Sequence, residues 1–403
     1  MKAVMYGAGN IGRGFVGALM SQAGYQVSFV DVDRELVNRL NAAGAYTLRV
    51  IGNEGHRDTL VTGVSAIDGN DSEAVSRAVA ECGLMATAVG ARILPLIAPK
   101  IARGLKLRFR QDKPELNIII CENLMDANHV LEGLIKKELT GEEQEKFDRS
   151  VGLVEASIGR MVPIQTAEMR QGDPLRVCVE SYGFLPVDKD AFKGTIPGIK
   201  GLVPHSPFDF YLRRKLWLHN MGHACCAYLG MNAGKTYIYE AVADENILLL
   251  TRSAMLESAA ALAGKYREPI RDLLNHMDDL LYRFSNRALG DTCARVGGDI
   301  RRKMAAEDRL IGAARLCRQE GIPPVFIALG AAGALRQYLN EEGLAQDGTA
   351  AMDALRQLSG IRPDDSLAEM ILTFYSLFQK GASLSDIRAI AREEKHRLIG
   401  QVV

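Results

Sequence analysis

Residues 2–15 read KAVMYGAGNIGRGF. A short apolar run leads straight into Gly7, Gly9 and Gly12 in G-x-G-x-x-G spacing, and residues 11–23 then have helical spacing up to Gly24. In a strand–turn–helix context each glycine has a separate reason. Gly7 permits the tight turn, Gly9 lets the backbone approach a pyrophosphate, and Gly12 allows the helix to pack closely on the strand. The helix N-terminus, with Asn10 and Ile11, attracts phosphate charge. QVSFVDVD follows as a second strand and completes a βαβ unit, with Asp31 ending it 19 residues after Gly12. A carboxylate there accepts from the adenosine ribose hydroxyls and, with Asp33, repels a 2′-phosphate, so NAD is expected over NADP. Arg34 reads as a solvated residue at a helix start.

Outward from this unit the alternation continues. Strands are expected at 45–51, 58–66, 83–90, 116–123 and 151–159, with helices at 71–81, 91–105 and 126–138. Alternating types imply an α/β fold with a mostly parallel, doubly wound sheet of the Rossmann type. Residues 174–181 alternate apolar and polar, as a half-exposed strand added near the sheet's end would. Thr87, Val89, Gly90, Glu122 and Asn123 fall at the carboxyl ends of later strands, where open α/β sheets bind ligands. They are expected at the cofactor, with Asn123 reaching the reaction centre and the substrate.

GTIPGIKGLVP, at 194–204, breaks the pattern, and from 207 onward the apolar spacing is helical almost throughout. The boundary is therefore expected near residue 195, dividing a 1–195 NAD-binding domain from a 196–403 all-helical substrate and catalytic domain. The first long element of the second part contains RRKLWLHNMGHACCAYLG, 213–230. On an ideal helix with Lys215 at zero, His219, His223 and Asn220 lie at about 40°, 80° and 140°. Unpaired in a core they would cost several kcal/mol, so they satisfy one another or receive a ligand. Small residues on or beside the arc (Gly222, Cys226, Ala227 and Gly230) would leave room for that ligand. Oxidising an alcohol with a nicotinamide needs a base and donors to the oxygen, and this face supplies both. The cationic neighbours Arg213 and Arg214, together with burial, favour the neutral amine that a base needs at Lys215. Asn220 and His223 form an oxyanion-type clamp.

Lys plus Arg and Asp plus Glu each number 49, so no global field recruits nucleic acid or an anionic membrane. The seven cysteines are dispersed and lack CxxC spacing, which suggests reduced core thiols. His219 and His223 are spaced as metal-binding pairs are, but the intervening residues lack the Glu of H-E-x-x-H, and no metal is expected. The chain starts without a charged and then apolar leader pattern, and its longest apolar run, 325–335, is half of what a bilayer needs, so a cytoplasmic protein is expected.

K-x-x-x-x-N-x-x-H at 215–223, with GAGNIGRGF, CEN (121–123), RMVP (160–163), FKG (192–194), RVG (295–297) and DRL (308–310), resembles the polyol-specific long-chain dehydrogenases, the mannitol dehydrogenase family. The resemblance implies a Rossmann domain joined to a helical one, metal-independent chemistry, and a monomer or weak homodimer. It makes Lys215 the base and Asn220 and His223 the ligands of the reacting oxygen, with Arg160 and His219 at the substrate. A small-molecule sugar alcohol or its phosphate is the expected partner, most closely mannitol 1-phosphate, interconverted with fructose 6-phosphate; Arg295, Arg302 and Lys303 are candidate phosphate ligands. Two positions depart from the family pattern: Gly159 stands where an acidic residue is common, and RVGGDIRRKM replaces RVxRDPLRKL. A free-polyol 2-dehydrogenase for mannitol or arabinitol, a hexuronate oxidoreductase for altronate or mannonate, and a non-catalytic NAD-sensing regulator remain as alternatives.

Overall fold

The computed structural model describes residues 1–400. Strands in chain order are β1 (Lys2–Tyr6), β2 (Gln26–Asp31), β3 (Ala45–Gly52), β4 (Gly55–Thr62), β5 (Val64–Asp68), β6 (Leu84–Thr87), β7 (Leu116–Ile120), β8 (Val151–Glu155), β9 (Val177–Val179), β10 (Leu185–Asp188) and β11 (Leu202–His205). The chain divides into two compact units, Met1–Asp209 and a second from Phe210 onward. The expected boundary at 195 falls short because β11 pairs in parallel with β10 and keeps the Gly- and Pro-rich stretch in the first unit.

Six strands form one parallel sheet in the order β5-β2-β1-β6-β7-β8. The winding direction reverses between β1 and β6, the switch point at which such sheets bind dinucleotides. Along β1 the side chains alternate: Ala3 and Met5 pack with Phe15 and Phe29 on one face, Val4 and Tyr6 with Met85 and Ile118 on the other. Both faces are thus covered, which accounts for the near-continuous apolar runs of the central strands.

The single strand expected at 58–66 is broken by Gly63, whose φ is +66°. β4 ends before it as a hairpin partner of β3, and β5 starts after it in the main sheet. The 174–181 strand is shorter than its alternation suggests and fully buried. It joins β3 in a separate sheet, β4-β3-β9, rather than extending the main one. An additional helix, Gly141–Ser150, has a readable signal in retrospect: Thr140 and Glu143 form a capping box at its start.

The second unit is built of helices, the longest being Met221–Asn232, Glu245–Tyr266, Ile270–Phe284, Arg309–Gln319, Val325–Glu341, Gly348–Ser359, Ser366–Gln379 and Leu384–Gly400. Val325–Glu341 lies at the centre, with every residue from 325 to 335 buried. Its free N-terminal amides are met by a buried carboxylate: Glu257 accepts from Phe326 at 3.1 Å and from Ile327 at 3.1 Å. Lys395 of the last helix pairs with the same carboxylate at 2.9 Å and fastens that helix to the core. Among the described residues, Glu245–Tyr266 is the one helix long and apolar enough to cross a membrane; here it is a core helix, with 56% of that window buried. All seven cysteines are buried and none is in a disulfide.

Candidate functional site

In the first unit the glycine turn is held from several sides. Gly7 adopts φ +101°, and a Cβ there would collide with the Ala88 carbonyl. A Cβ on Gly12 would strike the Gly7 carbonyl oxygen, so the helix approaches its own loop too closely for any side chain. Gly9 is different: nothing lies within 4 Å of where its Cβ would be. An exposed backbone step with open space beside it, at the start of a helix, fits a pyrophosphate.

Asp31 ends β2 next to this turn. Its carboxylate accepts from the Ala8 amide at 2.8 Å and the Asp33 amide at 3.1 Å. Asp31 therefore shapes the turn. Asp33 caps the next helix through the Leu36 amide, and Arg34 is an exposed residue paired with Asp68 at 3.0 Å. Neither Asp33 nor Arg34 offers a 2′-phosphate an unopposed cation.

Across the switch point, Glu122 is buried and accepts from Val89 at 3.1 Å and Gly90 at 2.7 Å. It thereby joins the loops that follow β6 and β7 and positions the 89–90 backbone. Thr87 is completely buried and, among the described residues, its hydroxyl oxygen has no hydrogen-bond partner, so its side chain lies out of direct reach of a ligand at the surface of the loop. Asn123 is exposed beyond the end of β7.

Arg13, absent from the expected set, turns out to be central. Buried between two glycines, it donates to Ala8 O at 2.6 Å and to Leu175 O at 2.6 Å, while Tyr46 donates to the Arg13 carbonyl. It ties the turn to a segment 162 residues away in sequence. Arg160, expected at the substrate, has its guanidinium engaged by the Gly14 carbonyl at 2.8 Å and by the Tyr182 carbonyl, over the Phe15 ring. Its visible work is to brace the glycine-loop helix. The glycine at 159 also has a local cause: a Cβ there would sit 2.9 Å from the Tyr182 ring, which fills the space that an acidic side chain would need.

In the second unit the Lys–Asn–His face is present, but not on an ideal α-helix. Asp209–Arg214 is α-helical, Lys215–Asn220 is π-helical, and Met221–Asn232 is α-helical again. Bonds from i to i+5 take up an extra residue, so the 100° arithmetic does not hold across this segment. Lys215, Asn220 and His223 are each half-buried, whereas His219 is 6% exposed. Burial and nearby cations hold the His219 imidazole well below its usual range. It packs against Phe284 behind His223, and a direct substrate contact is not its role here. Among the described residues, the Asn220 side-chain amide has no hydrogen-bond partner, which leaves it available to a ligand. The small residues beside the face do not open a cavity, contrary to expectation. A Cβ on Gly222 would lie 2.6 Å from Met255, and one on Gly230 would lie 2.8 Å from Cys293 and 2.9 Å from Ala241, so they admit neighbouring helices.

The His223 ring stacks on Phe284 at 4.5 Å and 11°. Burial lowers its pKa to about 3, and four cations add to the effect: Arg295, Arg309, Arg283 and Lys303. Those cations differ in availability. Arg295 is paired with Asp291, Arg302 with Asp299 at 2.8 Å, Arg309 with Asp308 at 2.8 Å, and Arg301 with Glu342 at 2.9 Å. Lys303 is 5% exposed and, among the described residues, its side chain has no hydrogen bond or ion pair. Burial first, then Arg309 and Arg302, lower its amine to about 8. Of the three candidate phosphate ligands, only Lys303 lacks a carboxylate partner. No group of three or more His, Cys, Asp or Glu among the described residues is placed to hold a metal.

A glycine turn at the switch point of a 3-2-1-4-5-6 parallel sheet, followed in the same chain by a helical unit carrying a lysine, an amide and an imidazole, defines a two-unit, Rossmann-type oxidoreductase. The comparisons specify the class further. The family model for the mannitol dehydrogenase Rossmann domain matches residues 1–201, and that for the mannitol dehydrogenase C-terminal domain matches residues 208–378. A mannitol-1-phosphate 5-dehydrogenase of Brevibacillus brevis is 38% identical over 335 residues, covering 83% of this chain and 86% of that protein. The chain belongs to the mannitol dehydrogenase family. Two solved structures share its fold at 16% identity: Pseudomonas fluorescens mannitol 2-dehydrogenase in ternary complex with NAD and D-mannitol, with a TM-score of 0.74 over 98% of this chain and 94% of that one, and a substrate-free D-sorbitol dehydrogenase, with a TM-score of 0.75 over 94% and 93%.

Proposed function

We propose that the protein is an NAD-dependent oxidoreductase that interconverts mannitol 1-phosphate and fructose 6-phosphate without a metal. Family membership and the relative acting on mannitol 1-phosphate support a polyol phosphate as the substrate class. The observation that carries the phosphate is the setting of Lys303: a buried ammonium in ion pair with no carboxylate, although Asp299 and Asp308 lie near enough to act on it, in a cluster of cations around His223. Leaving a cation buried and unpaired is costly unless a ligand completes it, and a phosphate dianion does so.

The open backbone at Gly9, the N-terminus of the helix with Asn10 and Ile11, Asp31, and the 89–90 loop that Glu122 positions would hold NAD. When bound, it supplies the hydride acceptor for the oxidised carbon. The neutral Lys215 amine takes the hydroxyl proton, and returns it when the ketone is reduced. Asn220 donates its amide N–H to the same oxygen as charge develops there, and His223 binds the substrate beside it. Asn123 completes the substrate contacts.

The test compares kcat/KM for fructose 6-phosphate and fructose in the wild type and Lys303→Ala. A dianion held by charge-assisted bonds gives a preference of about 100-fold or more, which Lys303→Ala sharply reduces. Equal constants in the wild type would refute the phosphate reading and leave a free polyol or hexuronate as the substrate. An absence of NADH formation with every polyol tried would refute catalysis and leave an NAD sensor.

A further inference from the structure

One buried atom near the Lys–Asn–His face is unsatisfied. His223 Nε2 is sealed from solvent and has no hydrogen-bond partner. The nearest acceptor is Oδ2 of Asp291, at 4.0 Å. Buried nitrogens are seldom left without a partner, and contacts at catalytic groups are often long in a protein without its substrate.

Asp291 is set rigidly. Its carbonyl accepts from the Ile238 amide at 2.9 Å, and two residues on the Cys293 amide donates to Thr236 O at 2.8 Å, so the backbone around it is clamped against 236–238. Its carboxylate is buried, and its other oxygen, Oδ1, receives the Arg295 guanidinium. The ring it faces is held flat by Phe284 on one side. A single fixed carboxylate thus spans the imidazole and an arginine.

From this geometry we infer that Asp291 is a positioning residue for the reaction: it takes the Nε2–H of His223, fixing the ring's tautomer and plane, while holding Arg295 in register with it. The inference rests on the reading of His223 as a ligand of the substrate. A neutral imidazole carries one proton. With that proton on Nε2, Nδ1 presents a lone pair and accepts from a substrate hydroxyl beside the reacting one, whose own single proton goes to Lys215. Asn220 and the protonated Lys215 are then the donors to the reacting oxygen when it is a carbonyl. The division assigns His223 to the neighbouring hydroxyl and Asn220 to the reacting oxygen.

The test uses the whole chain. Asp291→Asn should lower kcat by roughly 10-fold or more, as losing a fixed tautomer does in carboxylate–histidine pairs, with KM for NAD unchanged. In a His223→Ala background the same substitution should add less than about a 3-fold loss, because its route is gone. Equal losses in both backgrounds, or a kcat within about 3-fold of wild type for Asp291→Asn, would overturn the inference. Nitrogen-15 NMR of wild-type protein, with His223 assigned by comparison with His223→Ala, reads the tautomer without any change at Asp291: a proton on Nε2 is expected, and one on Nδ1 overturns the inference. If His223→Ala itself leaves kcat intact, the reading of the clamp fails instead, and the NMR result still decides the tautomer.

Discussion

Lys303→Met should make the protein more stable and a poorer phosphate enzyme. In the folded chain the amine is lowered from 10.5 to about 8. At about 1.4 kcal/mol per pH unit, that gap is a folding penalty of at most about 3 kcal/mol. Because the folded value is the lower one, the penalty is complete below about pH 8 and fades toward pH 10.5, where both states lose the proton. Methionine keeps the apolar stem without the charge, so the penalty disappears. For a unit of this size the gain corresponds to a rise of roughly 6–12 °C in Tm at neutral pH. Calorimetry of wild type and Lys303→Met at pH 7 and pH 10 measures it, and the gap between them should narrow at the higher pH. Adding inorganic phosphate at pH 7 should raise the wild-type Tm and leave the variant's unmoved. A variant no more stable than wild type at pH 7, or equally advantaged at pH 10, would refute the claim that this lysine is buried at a cost for the sake of a ligand.

Lys215→Ala should lower turnover by about 100-fold or more while NADH binding, followed by fluorescence, changes little; turnover within a few-fold of wild type would remove the base assignment. Glu122→Ala leaves the Val89 and Gly90 amides without their acceptor, so KM for NAD should rise by several-fold with a smaller change in kcat, read from initial rates over a range of NAD. Lys395→Met strands the buried Glu257 carboxylate and should cost about 3–5 kcal/mol in urea unfolding, a loss that Glu257→Gln in the same chain should partly restore.

The glycine turn, Asp31 and the Lys–Asn–His set were legible because each depends on local spacing. What escaped the sequence depends on partners far along the chain. Arg13 reads as an ordinary helix arginine until Leu175 is brought against it. Asp291 looks like a loop carboxylate until the bridge to 236–238 turns it toward His223. The small residues near His223 looked like room for a ligand because a single helix cannot show that its neighbours fill the space. Among the cationic side chains between 287 and 309, charge counting could not tell that Arg295 and Arg302 are matched by acids one turn away while Lys303 is not.

Among the described residues, π-helical segments occur twice: Gly12–Val16 at the glycine turn and Lys215–Asn220 at the start of the Lys–Asn–His segment. Each wide turn holds one residue more than an α-helix would and is flanked by helix that holds the rest of the element in place. The spacing within each motif is therefore a matter of count as well as chemistry. The wide turn takes up its extra residue with the flanking helix little rotated, so an α-helix one residue shorter would hold Lys215 and His223 in nearly the same relative orientation. Closing the present sequence into α register without a deletion would instead turn Lys215 by about 100° and shift it by about 1.5 Å along the axis relative to His223. The number of residues across the wide turn, and not the motif alone, therefore sets how Lys215 stands to His223.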